Sequence, residues 1–212
     1  MILELNSQLY DFLQEFSNIP FIWLLADIPI FFLPLFLAGM WIKYTFFQNH
    51  NSNLIKKIKE KIGSSDRFYS VKRLDLLHIF YACILGLIFS YIIKLFVDID
   101  RPESYLQQTR NLIMSTIPAK SFPSDHATVS FTFTISLFFT GFKKVWYIFL
   151  PFVVIMNISR IIAGVHWPLD ILAGTVVGIS AAIITFKYIV TSKLVNSTDI
   201  LIIGIMKKLR LY

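Results

Sequence analysis

Three clusters of polar residues stand out in a chain that is otherwise mostly apolar: Lys94-x6-Arg101-Pro102, Pro123-Ser124-Asp125-His126, and Ser159-Arg160-x5-His166-x3-Asp170. Lys94, Arg101 and Arg160 have no obvious counter-ion close by in sequence, and three cations around one point suit a multiply charged anion such as a phosphate, which arginine grips with two parallel hydrogen bonds. Ser124 stands where a helix N-cap belongs, so free backbone N–H groups and a positive dipole end face the same place. His166 and Asp170 are four apart at the start of a helix with Pro168 in its first turn, and so share a face. A carboxylate on one imidazole nitrogen fixes the tautomer and leaves the other nitrogen free to attack. His126, on a different helix, is then available to protonate a leaving group. A nucleophile, its orienter, a general acid and a cationic cradle together describe phosphoryl transfer without a metal or other cofactor.

For that chemistry the clusters must meet, and the rest of the sequence indicates how. Of 212 residues 56% are hydrophobic and only 16% charged, against about 25% charged in soluble domains. Five stretches have the length and character of bilayer spans: 20–43, 75–97, 124–141, 146–164 and 167–190. The expected fold is an all-α integral membrane bundle of five to six helices, forming one domain over 1–212. Residues 1–18 place Ile2, Leu5, Leu9, Phe12, Leu13 and Phe16 at helical spacing with acidic residues between them, the pattern of an amphipathic surface helix. With no basic leading region this is not a signal peptide. Residues 191–212 form a cytoplasmic tail too short to span, lying on the surface or frayed. Polar segments at 44–74 and 98–123 connect the spans. The single Cys83 excludes a disulfide framework.

The excess of basic residues is a topology signal. Fifteen of the 20 Lys and Arg residues fall on one side of the spans; Lys94, Arg101, Arg110, Lys120 and Arg160 fall on the other. The richer side is cytoplasmic by the positive-inside rule, where it also meets anionic lipid, so nucleic acid is not the partner implied by the charge. The N-terminus then faces out, and the spans, alternating in direction, bring all three clusters to the outer face.

In order and spacing the clusters resemble the signature of the type-2 phosphatidic acid phosphatase superfamily, Lys-x6-Arg-Pro, Pro-Ser-Gly-His and Ser-Arg-x5-His-x3-Asp. The resemblance covers residues 94 to 170. It implies a helical bundle, no metal, a phosphohistidine on His166 supported by Asp170, and a leaving group protonated by His126. Lys94, Arg101, Ser124 and Arg160 would bind the phosphoryl oxygens. The departure is Asp125, where the family's usual residue is glycine: its carboxylate would repel a phosphate unless turned away, although its backbone N–H can still serve. Asp125, with the phrases "SFPSDHATVSF" and "GVHWPLDILAG", is similar to the bacterial undecaprenyl-diphosphate phosphatase branch, which recycles a polyprenyl lipid carrier at the outer face of the plasma membrane. That resemblance implies a bacterial plasma-membrane location and a polyprenyl diphosphate substrate.

Other polar residues carry open readings. Asp27 lies within the first span, where a carboxylate is a functional candidate or holds structure through a hydrogen bond. Glu103 could position a water or pair with an arginine; Asp98 and Asp100 are solvated or tune Lys94 and Arg101. Arg110 and Lys120 belong to a solvated loop or to the substrate site, and His50 and His78 fall on the cytoplasmic half as solvated or structural residues. A capping role for His166 and Asp170, or a snorkelling one for Lys94, would explain one cluster but not all three. The motifs read only phosphate, so a phosphatase of lipid A, phosphatidylglycerophosphate or phosphatidic acid shares the chemistry. A lipid flippase or binding protein with a dead site is the competing class.

Overall fold

The computed structural model describes residues 2–50, 65–102 and 120–209. These form helices and no strand; an isolated antiparallel bridge joins Asp100 to Lys120. The helices are α1 (Ile2–Gln14), α2 (Ile22–Asp27), α3 (Phe32–His50), α4 (Ser65–Phe96), α5 (Asp125–Phe139), α6 (Lys143–Ile162), α7 (Pro168–Ile184) and α8 (Lys193–Lys208). A 3-10 turn over Ile28–Phe31 links α2 to α3, and a π-helical turn over Thr185–Ile189 extends α7. Four segments are long and apolar enough to cross a bilayer: Ile22–Thr45, Lys72–Phe96, Lys143–Ile162 and Pro168–Ile189. The molecule is a multi-pass membrane protein.

The stretch 124–141 departs from the expected set of spans. Its helix α5 has 15 residues, about 22 Å at 1.5 Å per residue, less than the roughly 30 Å of a hydrocarbon core. It is the central element of the bundle, with Ala127, Thr128, Ser130, Thr132, Phe133, Thr134, Ser136 and Leu137 all buried. Two of its hydroxyls meet neighbouring helices: Thr132 Oγ1 donates to Thr128 O at 2.7 Å and reaches Gly178 O at 3.1 Å, and Asn157 Nδ2 donates to Ser130 Oγ at 3.0 Å. The other end of the bundle is closed by an apolar cluster of Leu33, Leu76, Ile79, Phe133, Leu137 and Phe142. Side chains on the outer helix faces, such as Phe96, Tyr147, Ile148 and Leu172, are exposed, as a lipid-facing surface requires.

Two glycines decide how closely α5 and α7 approach. A Cβ on Gly174 would stand 2.6 Å from Ser124 O, and one on Gly178 would stand 2.5 Å from Thr128 O. The Gly-x3-Gly spacing puts both on one face, so backbone packs on backbone, the close-approach device of membrane helices. Gly86 of α4 faces Thr132 Oγ1 in the same way, at 2.8 Å. The helices α4, α5 and α7, which carry Lys94, His126 and Asp170, are thereby drawn together.

The C-terminal tail and the first connection differ from their simplest expectations. The tail is not frayed: α8 is a helix whose Asp199 binds His78 Nε2 at 2.8 Å and accepts from Tyr81 Oη at 3.0 Å, so His78 is a buried structural residue. The segment 44–74 is not wholly a loop, because α3 runs on to His50 and α4 begins at Ser65. At the other terminus α1 turns most of its apolar side chains outward: Ile2, Leu5, Leu9 and Phe12 are exposed, while Leu13 packs inward against the protein. Asn6, Tyr10 and Gln14, four apart, form the stripe that meets the protein. Asn6 Oδ1 accepts from Leu169 N at 2.9 Å, Tyr10 packs on Trp167, and Gln14 Nε2 donates to Ile161 O at 2.7 Å.

Candidate active site

The C-terminal ends of α4 and α6 and the N-terminal ends of α5 and α7 lie at one end of the bundle, which brings the three clusters together. Ser124 is the N-cap of α5: its Oγ accepts from Ala127 N at 3.4 Å, its backbone N–H donates to Asp170 O at 3.1 Å, and it is buried. This bond, next to the Gly174 approach, locks the start of α5 to the start of α7. His166 precedes α7, in the short turn after α6 where Gly164 takes a positive φ of 70° and the backbone must reverse. Asp170 lies in the first turn of α7.

His166 and Asp170 are both almost fully buried. His166 Nδ1 is 3.2 Å from Asp170 Oδ2. Its Nε2 faces Arg101 Nη1 at 3.4 Å, and Arg101 also donates to Val165 O at 3.0 Å. A guanidinium can only donate, so Nε2 bears the lone pair and Nδ1 the proton given to Asp170. Burial, reinforced by the Arg160, Arg101 and Lys94 cations, holds the His166 pKa well below the usual histidine range, with Asp125 pulling the other way. The ring is therefore neutral at neutral pH.

Asp170 Oδ2 is also fixed by Trp167 N at 2.9 Å and by a short hydrogen bond from Ser121 Oγ, which lies 3.2 Å from His166 Nδ1. Ser121 is fully buried, and its backbone N–H donates to Ile99 O at 2.7 Å. It is a functional candidate that the sequence motifs do not contain. It heads the phrase "SFPSDHATVSF", but a serine near a loop end is too common for that place alone to mark it.

Lys94 and Arg160 have carboxylate partners, contrary to the expectation from sequence neighbours. Lys94 Nζ binds Asp125 Oδ2, whose other oxygen accepts from Ser90 Oγ at 2.6 Å. Asp125, placed by the sequence among the phosphate-binding residues, turns its carboxylate to α4, which removes the repulsion a free carboxylate would exert. Arg160 donates to Ala26 O at 3.0 Å and to Asp27 Oδ1, and His126 Nε2 lies 3.9 Å from that same Asp27 oxygen. His126, from the first turn of α5, remains partly exposed.

Beyond this cluster, Lys120 Nζ donates to Lys94 O at 3.0 Å and lies 3.6 Å from Asp98, while Trp167 Nε1 donates to Asp100 O at 2.9 Å. Lys120 and Asp100 thus pin the loop ends beside the site. Glu103 and Arg110 fall outside the described residues, as does the side chain of His50. Among the described residues no three His, Cys, Asp or Glu side chains are placed to hold a metal ion.

A model of the PAP2 superfamily matches residues 75–194. The chain is 28% identical over 188 residues to "Bacitracin transport permease protein BcrC" of Bacillus licheniformis, covering 86% of this chain and 80% of that one. It is 32% identical over 114 residues to "Undecaprenyl-diphosphatase BcrC" of Bacillus subtilis (strain 168), covering 52% and 58%. The crystal structure of Aquifex aeolicus LpxE aligns with a TM-score of 0.49 at 20% identity, covering 87% of this chain and 96% of that one.

Proposed function

The chain belongs to the PAP2 superfamily, and from that membership we propose a lipid phosphatase that hydrolyses undecaprenyl diphosphate to undecaprenyl phosphate through a phosphohistidine. The observation that carries this reading is the His166 imidazole, neutral, with Nδ1 held by Asp170 and its Nε2 lone pair facing Arg101. An incoming terminal phosphoryl group is held by Arg101, Arg160 and Lys94, with Ser124 and the N–H groups that open α5 completing the cradle. Nε2 attacks phosphorus as the bond from phosphorus to the bridging oxygen breaks, and His126 gives its proton to that oxygen. Water then attacks the phosphohistidine, returning a proton to His126 and releasing phosphate with His166 restored. Asp170 and Ser121 keep the ring in one orientation throughout.

One membrane domain spans 1–212, with α1 on the outer surface of a bacterial plasma membrane, the site facing outward and the tail in the cytoplasm. The basic loops support that orientation. The relative named as an undecaprenyl-diphosphatase, and the Asp at position 125, favour a polyprenyl diphosphate over lipid A, phosphatidylglycerophosphate or phosphatidic acid. A second reading, a non-catalytic lipid transporter, draws on the relative named as a transport permease; against it, every position of the constellation is filled. The test is phosphate release from these lipids by the purified protein in detergent. Release from undecaprenyl diphosphate well above the others is expected. Preference for another lipid would replace the substrate, and no release from any would favour the transporter.

A further inference from the structure

Asp27 lies outside the segment that carries the three motifs, yet its carboxylate touches two of them. It closes α2, a short helix packed on α6 through Ile22, Ala26, Ile162 and Ala163. Its Oδ1 accepts from Arg160 of the third motif and stands 3.9 Å from His126 Nε2 of the second. The Arg160 side chain is 4% exposed, so this pair is withdrawn from solvent on the arginine side, while Asp27 at 43% opens toward the site. Burial, followed by the charges of Arg160, His166, Arg101 and Lys94, pushes the His126 pKa down, against the proton a general acid must carry. A protonated imidazole there needs a nearby negative charge. Asp125, although adjacent on the chain, is committed to Ser90 and Lys94; Asp170 is committed to Ser121, Trp167 and His166. Among the described residues Asp27 is the carboxylate within ion-pair range of His126.

We propose that Asp27 is a positioning residue for the general acid: it fixes Arg160 in the phosphate cradle and supplies the charge against which His126 holds its proton. This rests on the reading of His126 as the acid in phosphoryl transfer. The inference assigns a catalytic purpose to the break between α2 and α3. Asp27 ends α2 and the 3-10 turn with Pro29 begins at the next residue, so the carboxylate projects where the helix is interrupted, not along a continuous lipid-facing helix. An intramembrane carboxylate retained in that way is expected to serve a site.

The distinguishing property of such a residue is leaving-group dependence. An activated leaving group departs with little help from an acid; a poor one does not. Asparagine at position 27 can still accept from Arg160, so the cradle keeps its geometry and only the charge is lost. The experiment compares kcat/KM for p-nitrophenyl phosphate and phenyl phosphate in the full-length wild type, Asp27→Asn and Asp27→Glu, with undecaprenyl diphosphate hydrolysis as the wild-type control. Asp27→Asn is expected to lose about tenfold to 100-fold on phenyl phosphate and less than about threefold on p-nitrophenyl phosphate, a part of the 10²–10⁴-fold a general acid contributes, with Asp27→Glu restoring most of the loss. Equal losses on both substrates, or none, would overturn the proposal. If Asp27→Asn does not accumulate, Asp27→Ser, which also removes the charge, decides in its place: a leaving-group dependence steeper than wild type supports the role and an unchanged one overturns it. Wild type inert toward every phosphate would instead bring down the phosphatase reading itself.

Discussion

Alanine at Gly174 should cost activity well beyond what so small a change costs elsewhere in the bundle. The added Cβ would lie 2.6 Å from Ser124 O and 2.8 Å from Ala127 Cβ, about 0.8 Å inside ordinary contact with a backbone oxygen. That oxygen cannot swing aside, because it accepts from Thr128 N at 2.9 Å as the first helical bond of α5. The helices must separate by most of an ångström at the level where Ser124 N binds Asp170 O, and His126 and His166 move apart with them. Overpacking of this kind costs about 1–3 kcal/mol, partly offset by about 1 kcal/mol of helix propensity gained over glycine, so the fold should survive. A misplacement of about 1 Å can cost on the order of 100-fold in rate. Phosphate release by Gly174→Ala should therefore fall about tenfold to 100-fold in detergent while the protein still purifies as a folded species. Gly39→Ala is the control: nothing lies within 4 Å of its added Cβ, and its activity should match wild type. Full activity in Gly174→Ala would refute the claim that close approach of α5 and α7 aligns the site.

Two further outcomes follow from the same geometry. Since burial and three cations hold His166 well below the usual histidine range of about 6.5, the acid limb of kcat/KM that reports its protonation should lie below that value; removing one cation favours protonation, so Arg101→Gln should move the limb to higher pH, and a limb that stays in place or moves down would contradict this. The polar stripe of α1 braces the turn carrying His166, so Asn6→Ala combined with Gln14→Ala should lower phosphate release severalfold while the apolar face still holds α1 to liposomes, as read by flotation; unaltered activity would leave α1 as a membrane contact alone.

The parts of this molecule legible in its sequence are those governed by local spacing. His166 and Asp170 meet because the first turn of a helix places residues four apart on one face, and the apolar runs mark the helices whatever they pack against. The remaining features depend on which helix faces which. Arg160 finds Asp27 across 133 positions and His78 finds Asp199 across 121, and no periodicity within an apolar helix specifies such a partner. Asp27 and Asp199 are single carboxylates in their helices, visible as anomalies but without an address. Lys94 and Arg160 therefore read as unpaired, and Asp125 as a carboxylate that must turn away from the phosphate toward a partner the sequence does not name. The shortness of α5 was obscured because its flanks, Ser124 and Thr140, sit in a continuously mixed run of hydroxyl and apolar residues; its burial lets it be shorter than a lipid-spanning helix.

The account stands most directly on the residue that carries the phosphoryl group. Its test is trapping of phosphoenzyme by an alkaline detergent quench, from undecaprenyl diphosphate labelled in the terminal phosphate, comparing wild type, His166→Ala and His126→Ala. Label should be trapped as an acid-labile, base-stable phosphohistidine that maps to His166, be absent from His166→Ala, and still form slowly in His126→Ala. Labelled phosphoenzyme in His166→Ala, or label mapped to His126, would contradict the mechanism.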